Sequence, residues 1–346
     1  MILYYNNHKI SKLIREQKHL LDTTPFVVNN FEEIFKKYDR FGLTKNNAVY
    51  DRSGNLPHFL NIEAGLHPMP GYDPHYNRSF FEVAEKRAKE LLSQNKIINV
   101  MWSGGIDSTF ILFFLHHFAN DKDQVRVFGT YNTIIESGDL FDRRIKNNFK
   151  YTINIAKRND IAYDYNIEDC IFVSGMCGNQ LFGPTDDMFG NTESSMFHHT
   201  LGTPETIYDS YTKSNPDVLE FLDPIIQSSP KKIETISDLR WLCIFNLDWY
   251  TALYEHRTLV TPEIANKIHG FFDSQEFQTW AVNTKDPFTK IQGNPNTHRW
   301  QMREILKDMF GEEHYSAHKT KKISNFSVNE GFWLLLLRGY HNVFLD

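Results

Sequence analysis

Val100-Met101-Trp102-Ser103-Gly104-Gly105-Ile106-Asp107-Ser108-Thr109-Phe110 is the stretch whose reading decides the fold. The apolar run from Ile97 to Trp102 reads as a strand and stops at a Ser-Gly-Gly turn. A second apolar run, Phe110 to Phe118, follows at once and reads as a helix, apolar on nearly all sides and so expected to be buried. Strand, glycine-rich turn and helix in that order let main-chain N–H groups and a helix N-terminus cradle phosphates. Gly104 and Gly105 let the backbone approach an oxyanion with no Cβ in the way, and Ser103 and Ser108 add hydroxyl groups. Asp107 does not bind phosphate itself; a carboxylate among phosphates holds Mg²⁺. No Gly-Lys-Ser/Thr triplet occurs, which excludes a Walker A loop.

Composition sets outer limits. The 346 residues suffice for one large domain or two modest ones. A net charge of −6 disfavours nucleic acid as a partner through general phosphate neutralisation, although a local basic patch is compatible with it. Cys170, Cys177 and Cys243 have no paired metal-type spacing and form no disulfide framework, so a reducing cytoplasm is the expected setting. No charged-then-apolar leader is visible at the N-terminus, and the run Phe332 to Leu337 is far too short to span a bilayer. The 28 phenylalanines read as core and helix packing.

Around the central stretch the chain divides into residues 1–75, a small N-terminal extension, and 76–346, the main domain. Within the first, Phe31 to Tyr38 suits a helix, and the Pro-rich piece Leu66 to Pro74 a linker or ordered loop. Apolar residues recur at helical spacing from Ser79 to Ser93. A strand is expected over Val125 to Tyr131, a crossover helix over Leu140 to Arg158, a half-buried strand over Ile161 to Ile167, and a further strand over Cys170 to Val173. Strands alternating with helices predict an α/β fold with a parallel, five-stranded sheet and its ligand at the carboxyl ends of the strands. Both Ser-Gly turns occupy such ends, so they are expected to face one nucleotide. Beyond Gly183 the reading turns helical, with helices over Asp238 to Arg257, from Thr261, and over Asn296 to Phe310.

The string Ser-Gly-Gly-x-Asp-Ser at 103–108 resembles the PP-loop of the ATP pyrophosphatases, which split ATP between its α- and β-phosphates through an adenylylated substrate. A second string sharpens this resemblance: Ser174-Gly175-Met176-Cys177-Gly178-Asn179-Gln180-Leu181-Phe182-Gly183. With the first motif, it resembles the synthase domain of the asparagine synthetase family, which includes β-lactam-forming synthetases and lasso-peptide cyclases. The family's pattern reads roughly Ser-Gly-Glu-Gly-x-Asp-Glu-Leu-Phe-Gly-Gly. Looser likeness lies in Asp238 to Arg257, in Phe271-Phe272-Asp273 and in the lysine-rich piece Lys319 to Ser327, so the resemblance covers roughly residues 76–330. It implies ATP and Mg²⁺ as cofactors, with Ser103, Gly104, Gly105, Asp107 and Ser108 holding pyrophosphate and metal. The main chain near Trp102 and Phe128, with Ser174 and Gly175, would meet adenine. Lys322 or Lys321 would neutralise charge on the α-phosphate, which accumulates there as a carboxylate attacks. A homodimer is compatible with the sequence.

Two departures redirect it. Met1 is followed by Ile2 rather than a nucleophilic Cys, and residues 1–75 are too few for a glutaminase domain, so glutamine hydrolysis is not expected. The second motif has also lost its carboxylates. Met176 and Gln180 stand where Glu is usual and Asn179 where Asp is usual; in the family that Asp helps bind Mg²⁺, and Asn179 retains a carbonyl oxygen without the charge. Asp186 or Asp187 would be substitutes. The pocket is then less hostile to an anion, which implies a substrate unlike aspartate.

Three readings follow. The first is a carbon–nitrogen ligase that adenylates a small-molecule carboxylate or carbonyl oxygen and forms an amide with a nitrogen nucleophile. The second is a PP-loop enzyme that adenylates a nucleotide or nucleobase, using a basic groove along Arg299 to Lys307 and Lys319 to Lys322. The third is a nucleotide-binding module without turnover. Tyr131 and Glu136 are placed near the pocket by position alone. Glu255 with Arg257 reads equally as an ion pair or a pocket element, Lys231-Lys232 as a solvated pair, and His116-His117 and His198-His199 as non-metal residues because adjacent histidines diverge.

Overall fold

The computed structural model describes residues 51–53, 68–154, 169–183, 223–233, 236–247, 249–254, 266–284 and 299–312. Among them run α1 (Phe80–Leu92), β1 (Ile97–Met101), α2 (Ile106–Phe118), β2 (Val125–Thr130), α3 (Tyr131–Leu140), β3 (Lys150–Asn154), β4 (Cys170–Ser174), α4 (Gly178–Phe182), α5 (Ile236–Leu247), α6 (Trp249–Tyr254), β5 (Ile268–Gly270), α7 (Gln275–Asn283) and α8 (Trp300–Phe310). The five strands form one parallel sheet in the order β3-β2-β1-β4-β5, flanked by helices, so the α/β expectation holds.

The chain divides into two compact units. One comprises Ala88–Ser174, Glu255–His269 and Ile305–Asp346; the other comprises Met1–Arg87, Gly175–Tyr254 and Gly270–Glu304.

The first unit carries β1 to β4. Each residue of β4 is buried, as is β1 from Ile98 onward, the pattern of parallel strands covered on both faces. Helix α2 is buried without a break from Ser108 to Leu115, with Phe110 stacked on Phe114 at 4.8 Å. Pairing sets Met101 beside Phe128 on β2 and Val100 beside Val173 on β4. The chain therefore leaves β1, β2 and β4 at one edge, and strand order reverses between β1 and β4, a topological switch point where open α/β sheets bind ligands.

The crossover helix expected at 140–158 starts earlier. Helix α3 begins at Tyr131, where Thr133 Oγ1 accepts from the Thr130 N–H at 3.3 Å, and a single π-type turn, Phe141–Ile145, follows it. Asn148 closes that turn by donating from Nδ2 to the Arg144 carbonyl at 2.7 Å. The β-prone Tyr151-Thr152-Ile153 then enters the sheet as β3. Glu312, almost wholly buried, anchors the residues after α8 by accepting from Arg144 at 2.6 Å and Arg143 at 3.3 Å.

The second unit has an aromatic core in which Phe182 meets Phe80 at 5.4 Å, Trp280 at 5.6 Å and Phe272 at 6.1 Å. Helix α1 starts with a capping box: Ser79 N donates to Glu82 Oε2 at 2.7 Å, and Glu82 N to Ser79 Oγ at 3.2 Å. Residues 51–53 pack here. Asp51 Oδ1 accepts from Asn246 Nδ2 at 2.6 Å, and Arg52 lies over the rings of Phe245 and Trp249 at 5.1 and 4.8 Å. Lys231 is not a solvated residue: its Nζ lies 4.2 Å over the Trp241 ring and 3.7 Å from Asp238, while Lys232 is exposed. The expected elements at 31–38 and 161–167 and the helix start at Thr261 lie outside the described residues.

Candidate phosphate-binding loop

At the end of β1 the chain turns through Trp102, Ser103, Gly104 and Gly105 into α2. Gly104 has φ +75°, a conformation that costs other L-residues roughly 1–2 kcal/mol. Gly105 is extended (φ −76°, ψ 166°) and caps α2 with no side chain. The first-turn N–H groups of a 13-residue helix are thus presented by a residue without a Cβ, the arrangement that receives an anion.

The serines build the turn from within. Ser108 Oγ accepts from the Ser103 N–H at 3.0 Å, lies 3.1 Å from Ser103 Oγ and donates to the Gly105 carbonyl at 3.2 Å. Ser108 is buried while Ser103 is half-buried. Asp107 lies in the first turn of α2 and is half-exposed. One carboxylate beside a phosphate cradle is a donor set that fits Mg²⁺, which takes one or two carboxylates together with substrate phosphates.

Trp102 and Phe128 sit side by side near the ends of β1 and β2. Their side chains are buried, and Trp102 N donates to the Phe128 carbonyl at 2.8 Å. The Trp102 carbonyl accepts from Thr133 Oγ1 at 3.2 Å, and its indole N–H donates to Thr109 Oγ1 at 2.9 Å. Both main-chain groups of Trp102 hold the loop in place. Ser174, buried, ends β4 beside β1, so Trp102, Ser103, Gly104, Gly105, Asp107, Ser108, Phe128 and Ser174 come together at one edge of the sheet.

Comparison with protein-family models, with curated proteins and with solved structures finds no match. The chemistry of the chain therefore rests on its own residues.

Sequence reasoning missed two of them. Thr133 and Ser137, four residues apart on α3, each donate a hydroxyl to a loop carbonyl, Thr133 to Trp102 and Ser137 to Gly104 at 3.1 Å. The signal was present as Thr130-x-x-Thr133-x-x-x-Ser137 directly after a strand. It was masked by a helix expected to begin at Leu140.

The second motif has its own geometry. Gly178 N donates to the Gly175 carbonyl at 3.2 Å, and Cys177 caps the short helix α4 in the left-handed region (φ 67°, ψ 2°). Met176 and Gln180 are buried, which suits uncharged side chains better than the carboxylates of the family pattern. Asn179 does not fit the metal role. Its Oδ1 accepts from the guanidinium of Arg299, and a cation on that oxygen competes with a second cation. Arg299 is itself buried, so it is not part of an open basic groove. Arg52, beside Cys177 and Asp273, is lowered to about 10 by burial, against the pull of both neighbours.

Among the described residues no group of three or more His, Cys, Asp and Glu is gathered as a metal site. The His116 ring packs on Phe149 at 4.3 Å, and that of His117 on Phe310 at 5.9 Å. Lys321, Lys322, Asp186, Asp187, Glu255, Arg257 and the pair His198-His199 lie outside the described residues, as do the side chains of Tyr131 and Glu136.

Proposed function

We propose that the chain is an ATP-dependent, AMP- and pyrophosphate-forming carbon–nitrogen ligase. It adenylates a carboxylate, or a carbonyl oxygen, and lets a nitrogen nucleophile form an amide. The observation that carries this reading is the loop Ser103–Ser108. A glycine in the left-handed region and an uncapped helix start sit at the switch point of a parallel sheet, with the Ser-Gly-Gly-x-Asp-Ser string in that setting.

In this reading the N–H groups at the start of α2 and Ser103 receive the outer phosphates. Asp107 would hold Mg²⁺, which would supply charge neutralisation at the pyrophosphate. A substrate oxygen attacks the α-phosphorus and the bond to the bridging oxygen breaks. Pyrophosphate leaves with the electron pair, and Lys322 or Lys321 stabilises the charge that grows there. The amine then attacks the acyl carbon, AMP departs, and the ammonium proton is lost to solvent. Holding both reactants on one scaffold makes the second step effectively unimolecular.

A cytoplasmic setting belongs to the same proposal, in keeping with cysteines that form no disulfide with one another. Among the described residues no helix is long and apolar enough to cross a membrane.

Pyrophosphate release measured over a panel of carboxylates, amines and nucleotides tests the proposal. Release that requires a carboxylate and is abolished by Asp107→Ala is the expected result. Release only with a nucleotide or nucleobase would favour base modification. Tight ATP binding without release under any condition would make the chain a binding module.

A further inference from the structure

The phosphate loop is held from outside by one face of α3. A peptide unit is planar and trans, so its carbonyl and the N–H that follows point in opposite directions. Thr133 Oγ1 donates to the Trp102 carbonyl, and the next N–H, that of Ser103, is turned away and meets Ser108 Oγ at 3.0 Å. Ser137 Oγ donates to the Gly104 carbonyl, and the next N–H, that of Gly105, is turned toward Ser103 Oγ at 3.4 Å. Two hydroxyls thus pin alternate peptide planes with their carbonyls toward α3 and their N–H groups toward the loop interior.

Other details show that this contact is built in. The Thr133 hydroxyl accepts from the Thr130 N–H at 3.3 Å and donates to the Trp102 carbonyl at 3.2 Å, so it ties the start of α3 to the loop. Ser137 departs from helical geometry (φ −138°, ψ 36°) at the point where it reaches the loop. A Cβ on Gly104 would lie 2.4 Å from Ser137 Oγ and 2.9 Å from Ser137 Cβ, an approach that only glycine permits.

We infer that Thr133 and Ser137 are positioning residues that fix the Trp102–Ser103 and Gly104–Gly105 peptide planes, and through them the N–H groups at the start of α2, for the pyrophosphate portion of a nucleotide. The inference rests on the reading that this loop receives the phosphates of ATP. It assigns α3 a role in distinguishing nucleotides by phosphate number rather than by base.

The test is calorimetric titration of the full chain, with Mg²⁺ present, by ATP, AMP and inorganic pyrophosphate. The variants are Thr133→Val, Thr133→Ser and Ser137→Ala. Loss of one pinning hydroxyl should weaken ATP and pyrophosphate about tenfold and leave AMP within roughly twofold, with Thr133→Ser retaining wild-type affinity. Variants that bind ATP like the wild type, or that lose ATP and AMP alike, would overturn the inference, as would Thr133→Ser behaving like Thr133→Val. A wild-type chain that binds neither ATP nor pyrophosphate would instead overturn the ligase reading on which it rests.

Discussion

The guanidinium of Arg299 donates to Oδ1 of Asn179, so the second motif carries a buried cation partner on the side chain expected from the resemblance to bind metal. Restoring the carboxylate alone should then create an ion pair and not a metal site. Asn179→Asp is expected to leave the Mg²⁺ concentration that half-saturates pyrophosphate release within about twofold of wild type, because a charge-assisted pair with Arg299 forms first. Tighter Mg²⁺ binding is expected only when Arg299→Met is added. A tenfold gain in Asn179→Asp alone would contradict this.

Gly104→Ala should cost stability and binding together. The left-handed φ of +75° imposes roughly 1–2 kcal/mol on a non-glycine residue. The added methyl also collides with Ser137, whose Cβ would be 2.9 Å away. Urea unfolding should show a loss of about 2 kcal/mol, and Ser137→Gly in the same chain should recover part of it. Equal stability in Gly104→Ala and wild type would show that the turn is not held as described.

Cys177 occupies the left-handed region at φ 67°, where glycine is favoured, and is almost fully buried. Cys177→Gly relieves strain and loses side-chain burial, so its stability should stay within about 1 kcal/mol of wild type. Cys177→Val adds β-branching at a positive φ and should cost about 2–3 kcal/mol by thermal or urea unfolding.

Tyr76 gives a pH signature. Burial raises its phenol from 10.0 to about 12, with Glu276 adding to the rise, and its buried Oη makes no hydrogen bond among the described residues. A folded pKa above the unfolded one means that its contribution to stability is complete below pH 10. It is lost as pH rises from 10 through 12. Tyr76→Phe should therefore lose stability less steeply than wild type over that interval and be no less stable at pH 7. An unchanged alkaline slope would contradict it.

What sequence revealed followed locality. The loop, β1, β2, β4, α1 and α2 were legible because a run of adjacent residues carries each signal: alternation, an apolar stretch or a glycine turn. The start of α3 was not, because Leu140, Phe141 and Ile145 continue a helical pattern into the π-type turn while the nucleating Thr130-x-x-Thr133 box looks like strand and loop. Contacts between distant residues were hidden for a different reason. Nothing near Lys231 announces Trp241 beneath it, and nothing near Asn179 announces Arg299.

The most direct measurement is electron density from a crystal of the full chain soaked with a non-hydrolysable ATP analogue and Mg²⁺. The β- and γ-phosphates are expected against the N–H groups from Gly105 to Ser108, with the metal at Asp107 and the α-phosphate open to attack. Nucleotide density away from this loop, or none at saturating analogue, would contradict the proposal that it grips ATP.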